Sequence, residues 1–406
     1  MTKSTNIATL PRDARLKCSD PVRPSSRVEN IPRSGIRAIF DQARNIPGLV
    51  HLELGEPDFR IPDHATEAAI QALREGFTKY TPNAGVEELR QAISEKLKRE
   101  NQMDTDPNGE IMVTAGAMEA LSLSILCTVN DGDEVLIPDP GYVSYIAHVL
   151  LAGGVPVFVP LKEENDFRAR ADELENLVTK KTRMIILNSP SNPTGAVDLR
   201  EDLKNIADLA NDRDLLVLSD EPYERLVYPG HTHYSIGAMS GMLERTISIF
   251  SFSKTYAMTG MRIGYIASSR ELIQQMAKMQ EHFVGSINSP AQRAAIAALR
   301  GPQDCVTNML REYTRRRDVL ADGLNKTGMI TCKKPPGTFY AFPNIMKTGF
   351  DSKTLAEKLL KEAKVVTVPG VAFGKNGEGH LRLSFATSIE NVSEAVKRIS
   401  NYCAAA

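Results

Sequence analysis

A chain of 406 residues points to two or three domains, or to one large and one small. Its hydrophobic share of 42% and charged share of 24% exclude a disordered or fibrous chain. A formal net charge of −1 removes any global electrostatic case for a nucleic-acid partner.

In chain order, residues 1–30 read as an arm. Lys3, Arg12, Arg15, Lys17, Arg23 and Arg27 are mixed there with Ser and Pro. Asp13 and Asp20 argue against a mitochondrial presequence, and the arm has no apolar core of the secretory kind. From about residue 65, strands and helices alternate. The run 110–113 predicts a strand, 114–116 a turn, and 117–127 a helix with Ala120, Leu121, Ser124 and Ile125 along one side. Further apolar runs at 134–137, 155–159, 184–187, 215–218 and 246–250 are each bounded by Pro, Gly, Asp or Ser. Between the later ones, Leu199, Leu203, Ile206 and Leu209 follow a helical period. Short strands with intervening helices predict an α/β fold, its mostly parallel sheet covered on both faces.

The longest apolar stretch, 146–161, contains His148, Gly153, Gly154, Pro156 and Pro160. It is too short and too interrupted to span a bilayer, so no membrane is expected. Beyond residue 300 the texture changes. A charged helical stretch surrounds 311–317, where Arg315, Arg316 and Arg317 read as a solvated face. A helix begins near Ser352, with Leu355, Leu359 and Leu360 apolar. Another begins at 387–390 with a capping-box pattern, followed by Val392, Val396 and Ile399. Short strands at 338–342 and 380–385 lie among them. The expected organisation is an arm at 1–30, a smaller α+β domain from 31–60 and 301–406, and a larger α/β domain from 61–300.

Cys18, Cys127, Cys305, Cys332 and Cys403 are widely spaced, odd in number and form no C-x-x-C pair. A reducing compartment, the cytoplasm, is the natural expectation. His231 and His233 straddle one residue without a third ligand nearby, so no metal is expected.

The informative polar residues follow predicted strands. Asn192 stands in Asn188-Ser189-Pro190-Ser191-Asn192-Pro193-Thr194-Gly195, after 184–187. Asp220 stands in Ser219-Asp220-Glu221-Pro222-Tyr223, after 215–218. Lys254 follows 246–250, in Ser251-Phe252-Ser253-Lys254. Open parallel sheets bind ligands at the carboxyl ends of their strands, so the three should converge on one crevice. A partly desolvated lysine amine has a lowered pKa and becomes a nucleophile able to form a Schiff base. Taken alone, Lys254 reads first as a surface lysine or a phosphate-binding charge. A Walker loop is missing before it, and no Gly-x-Gly-x-x-Gly follows the first strand.

The run Ser251-Phe252-Ser253-Lys254-Thr255-Tyr256-Ala257-Met258-Thr259-Gly260-Met261-Arg262-Ile263-Gly264-Tyr265 resembles the pyridoxal-phosphate lysine signature of class I aminotransferases. So do Leu54-Gly55-Glu56-Pro57-Asp58-Phe59, Tyr80-Thr81-Pro82-Asn83-Ala84-Gly85, Pro138-Asp139-Pro140-Gly141-Tyr142 and Arg382-Leu383-Ser384-Phe385-Ala386. The resemblance runs from about 32 to 402. It implies a fold-type-I architecture: a seven-stranded, mostly parallel sheet sandwiched by helices, plus a smaller α+β domain. It also implies pyridoxal 5'-phosphate as cofactor, a homodimer, and ping-pong transfer of an amino group. The first expected donor is aspartate and the expected acceptor 2-oxoglutarate. An aromatic or other neutral donor, a β-elimination and a synthase reaction stay open.

By this resemblance Lys254 would carry the cofactor as an imine and then move the proton at the substrate Cα. Asp220 would pair with the pyridine nitrogen. Asn192 and Tyr223 would donate to the phenolate oxygen, and Tyr142 would stack on the ring. Ser251, Arg262 and the backbone of Gly116 and Ala117 would hold the phosphate. Arg382 would grip the substrate α-carboxylate, with Gly55 allowing close approach. Tyr80 would reach the phosphate of the neighbouring subunit. Tyr142 stands where many relatives have tryptophan, a residue this chain lacks, and Met261 departs from the common Gly-Trp-Arg.

Overall fold

The computed structural model describes residues 24–32, 39, 43 and 46–405. Its strands in chain order are β1 (Val50–His51), β2 (Ile111–Thr114), β3 (Glu134–Asp139), β4 (Val155–Pro160), β5 (Thr182–Asn188) and β6 (Leu216–Asp220). They continue with β7 (Thr246–Ser251), β8 (Gly264–Ala267), β9 (Tyr340–Ala341), β10 (Val365–Val366), β11 (Val368–Pro369) and β12 (Leu381–Ser384). The main helices are α1 (Asp63–Arg74), α2 (Glu87–Lys96), α3 (Ala117–Thr128), α4 (Ser144–Leu151) and α5 (Arg200–Asp212). After them come α6 (Arg270–Phe283), α7 (Ser289–Arg300), α8 (Asp304–Asn325), α9 (Ser352–Lys358) and α10 (Ile389–Ala405).

Seven strands form one sheet in the order β2-β8-β7-β6-β5-β3-β4. Strand β8 runs antiparallel to both neighbours, and the other pairings are parallel. Both faces are covered, as the apolar strand runs require. On one face Ile137, Ile186, Leu218 and Ile249 pack against Leu121, Ile125, Val149 and Met276 of α3, α4 and α6. On the other, Leu136, Ile185 and Val217 meet Leu203, Ile206 and Leu209 of α5. Each such side chain contributes roughly 1.5–3 kcal/mol by leaving water. The smaller α+β unit joins an antiparallel β11-β12-β9 sheet to the parallel β1-β10 pair. Its core brings Leu52 together with Tyr313, Phe339, Leu383, Val392 and Ile399.

Four local expectations are corrected. Strand β8 has no counterpart among the predicted elements: it is four residues long, buried throughout, and carries no alternation to read. The strand expected over 338–342 shrinks to Tyr340–Ala341, because Thr338 takes a left-handed φ of +63° that breaks extended pairing. The cap of α10 sits one residue later than the capping box implied: Ser388 Oγ accepts from the Asn391 N–H at 3.2 Å. Arg316 is not on a solvated face. It is buried on α8 and donates to both oxygens of Asp58 at 2.8 and 2.9 Å, because the helix turns it inward between its exposed neighbour Arg315 and the core. Among the described residues, no helix is long and apolar enough to cross a membrane.

Candidate active site

Strands β5, β6 and β7 run parallel, so the segments leaving their carboxyl ends come together, and with them Asn192, Asp220 and Lys254. They line a cavity of about 350 Å³. Asp220 ends β6 with its side chain on the face shared with Leu218. The Tyr145 hydroxyl, from α4, donates to its Oδ2 at 2.6 Å. Oδ1 is buried and has no hydrogen-bond partner within the protein. Burial pushes the Asp220 carboxyl up to about 7; the Tyr145 bond opposes the rise and the adjacent Glu221 carboxylate adds to it.

Lys254 lies on a short helical turn, Phe252–Thr255, that Ser251 caps by accepting from the Ser253 N–H at 3.1 Å. Its Nζ donates to the Gly55 carbonyl at 2.6 Å. Burial brings the ammonium down to about 8; Glu56 opposes the fall, while Arg382 and Arg262 add to it. Gly55 is required for a reason the sequence does not disclose: a Cβ there would overlap the Tyr340 hydroxyl.

Arg382 arrives on β12, from the smaller unit, and is only 2% exposed. It donates to Asn192 Oδ1 at 3.1 Å and to the Glu53 carbonyl at 2.6 Å. Its guanidinium lies over the Tyr340 ring, 4.4 Å from the centroid. Its Nε is buried without a partner. Tyr223 and Tyr340 share a hydroxyl–hydroxyl bond of 3.1 Å. Burial holds the Tyr223 phenol well above its ordinary range.

At the other end of the cavity, α3 begins at Ala117 behind Gly116. Gly116 has a φ of +80°, and a Cβ on it would meet Arg262 Nη2 at 2.7 Å. Arg262 itself has a left-handed φ of +50°, and its Nη1 donates to the Thr259 carbonyl at 3.0 Å. Tyr142 forms part of the wall, its ring edge-on to Tyr145 at 5.6 Å.

Of the residues singled out from the sequence, all but Gly116 and Tyr80 line this cavity. Gly116 adjoins it through Ala117. Tyr80 is 94% exposed and stands outside it. Three residues complete the cluster without a site role expected of them. Tyr145 partners Asp220. Tyr340 lies beneath Arg382. Asn188 accepts from the Asn192 N–H and donates to the Asp220 carbonyl, both at 2.8 Å, so it ties two strand ends together. Asn188 opens the Asn-x-x-x-Asn-Pro motif, which was its one signal in the sequence.

The profile of the family "Aminotransferase class I and II" matches residues 47–399. The chain belongs to this family. As an aminotransferase it is 48% identical over 377 residues to aromatic-amino-acid aminotransferase 2 of Thermococcus litoralis, covering 92% of this chain and 97% of the relative. It is equally 48% identical to an aspartate aminotransferase of Pyrococcus abyssi, with the same coverage. The crystal structure of an aromatic aminotransferase from Pyrococcus horikoshii superposes with a TM-score of 0.86 at 46% identity, covering 90% of this chain and 98% of the other. The aminotransferase therefore carries its cavity at the place in the fold where strand ends open.

Proposed function

We propose that this aminotransferase works by ping-pong transfer through pyridoxal phosphate, held at Lys254. Three observations support the fit of that cofactor. Asp220 Oδ1 has no partner within the protein and suits a protonated ring nitrogen. Lys254 has an amine whose ordinary basicity is depressed by burial. The Gly116 turn leaves Arg262 a place that any side chain would fill. The observation that carries the reading is the convergence of Lys254 and Asp220 on one cavity.

When bound, pyridoxal phosphate supplies an electron sink for the pair left at the substrate Cα as its proton departs. The protein's part is positional and electrostatic. Asp220 holds the proton on the ring nitrogen. Asn192 has its oxygen engaged by Arg382, so its Nδ2 is the group free to donate to the phenolate; the Tyr223 hydroxyl donates beside it. Backbone N–H groups of Gly116 and Ala117, with Ser251 and Arg262, hold the phosphate at the start of α3. Tyr142, in the cavity wall, would pack against the ring. Arg382 takes the substrate carboxylate with its planar donors, and Gly55 keeps that approach open. Lys254 Nζ takes the Cα proton and returns it. Tyr80 belongs, in this reading, to the site of a second copy, which makes the working unit a homodimer. Borohydride reduction of the loaded protein, followed by peptide mass analysis, should place the label on Lys254; a label elsewhere overturns the assignment.

For the donor we infer a bulky neutral amino acid, aromatic first. Leu54, Met118, Leu121 and Tyr142 present apolar surface to the cavity, and one relative at 48% identity is named an aromatic-amino-acid aminotransferase. Aspartate is the second reading, supported by the equal identity to the Pyrococcus abyssi enzyme. Turnover of a panel of amino donors with 2-oxoglutarate separates the two. Aromatic donors should exceed aspartate by about tenfold or more in kcat/KM, a difference of about 1.4 kcal/mol. A reversed order would overturn the inference.

A further inference from the structure

Glu221 directly follows Asp220, and strand alternation turns its side chain to the opposite face of the sheet. It is 1% exposed there. Its Oε1 accepts from the Ser219 hydroxyl at 2.7 Å. Its Oε2 accepts from the Ser235 hydroxyl and lies 2.8 Å from His233 Nε2, a donor in the tautomer with the ring proton on that nitrogen. Its backbone N–H donates to the Ile249 carbonyl of β7 at 2.8 Å.

A second carboxylate, Glu224, lies close by: oxygen atoms of Glu221 and Glu224 and a ring nitrogen of His233 fall within 4.8 Å of one another. Glu224 has its own cation. Lys96 Nζ, from α2, pairs with its Oε1, and Asn101 Nδ2 donates to its Oε2 at 2.7 Å. The ionisable groups around Glu221 are His233, Glu224, Lys96 beyond Glu224, Tyr265, Asp198 beyond His233, and Asp220 on its own strand. Lys96 is engaged by Glu224, so Glu221 sits among hydroxyl and imidazole donors. Both oxygens accept there, as a carboxylate can; an amide has one donating end and would match only if a hydroxyl turned to accept from it. The charge so placed also bears on its neighbour: Asp220 is the next residue along the strand, with one oxygen free towards the cavity.

We propose that Glu221 is a positioning residue for Asp220: from behind the sheet it pins the 220–223 turn, and its charge strengthens the hold of Asp220 on the proton at the cofactor's ring nitrogen. This rests on the reading of Asp220 given above. Tyr145, on the cavity side, acts in the opposite sense by stabilising the ionised carboxylate.

The test uses the whole protein loaded with pyridoxal phosphate carrying ¹⁵N in its ring, read by solid-state NMR against pH. In Glu221→Gln the midpoint for loss of the ring-nitrogen proton should fall by about half a unit, a roughly threefold weaker hold. Glu221→Asp, which keeps the charge, should stay close to wild type. Asp220→Asn should lose the proton across the neutral range. If Asp220→Asn does so while Glu221→Gln keeps the wild-type midpoint, the role of Glu221 is overturned and that of Asp220 stands. If neither moves it, both readings fall. Should Glu221→Gln not accumulate, Ser235→Ala is the second probe. It keeps the carboxylate and removes one donor that screens it, so the midpoint should rise; an unchanged or lower midpoint overturns the proposal.

Discussion

Lys254 loses basicity because its ammonium is buried and shares its surroundings with two arginines. The sign is definite. A fall from 10.5 to about 8 means that the neutral amine is available more than two units earlier than in water. The rate at which cofactor-free protein captures pyridoxal phosphate should therefore rise with pH through a midpoint near 8. A midpoint near 10.5 would contradict the burial argument, and Lys254→Ala should show no capture while keeping its far-ultraviolet circular dichroism. The same shift bears on stability. Between about 8 and 10.5 the unfolded chain holds a proton here that the folded chain lacks, so this penalty is present below 8 and fades as pH rises. At Arg382 the shape of the donor matters as much as its charge. Arg382→Lys keeps the charge but not the fork that reaches Asn192 and Glu53 together. Steady-state kinetics should show kcat/KM down by about 10- to 100-fold, in line with the loss of one charged hydrogen bond of roughly 1.5–3 kcal/mol.

At the scale of elements, the site depends on how strands end and helices begin. The turn from β2 into α3 passes through Gly116 at a φ of +80°, where a side chain is strained and also collides with Arg262. Gly116→Ala should cost about 1–2 kcal/mol from the backbone alone. It should also displace the guanidinium, so pyridoxal phosphate should dissociate at least about tenfold more readily, as measured by equilibrium dialysis. Unaltered affinity would show that Arg262 is not needed at that end. The same logic explains what was legible beforehand. Asn192, Asp220 and Lys254 each follow a short apolar run, and such runs mark strand ends without knowledge of the fold. Tyr145 had no such marker: a buried aromatic residue on an apolar helix reads as core, and only its hydroxyl's direction gives it a second task. Strand β8 was hidden for a related reason, since four buried residues have no period to reveal.

At the scale of the whole molecule, the cavity draws on segments from Glu53 to Arg382, so it exists only when the larger and smaller units are folded against each other. Tyr80 is the residue that one chain does not explain, with its ring 94% exposed. If it serves the site of a second copy, mixing Tyr80→Ala and Lys254→Ala chains should restore activity that neither has alone, because one site of each hybrid then holds both intact residues. Sedimentation should report twice the chain mass. No recovery in hybrids of confirmed mixed composition would remove Tyr80 from the site.

The amino-acid sequence by itself determined the succession of strands and helices, the separate texture beyond residue 300, and the polar residues at three strand ends. It could do so because hydrophobic period and turn chemistry act over a few neighbouring residues. Tertiary structure alone decided the partners: Tyr145 for Asp220 across 75 residues, Arg382 for Asn192 across 190, and Tyr340 as the reason for Gly55. A hydrogen bond between distant residues leaves no local period, and packing rather than pattern selects which buried polar groups meet.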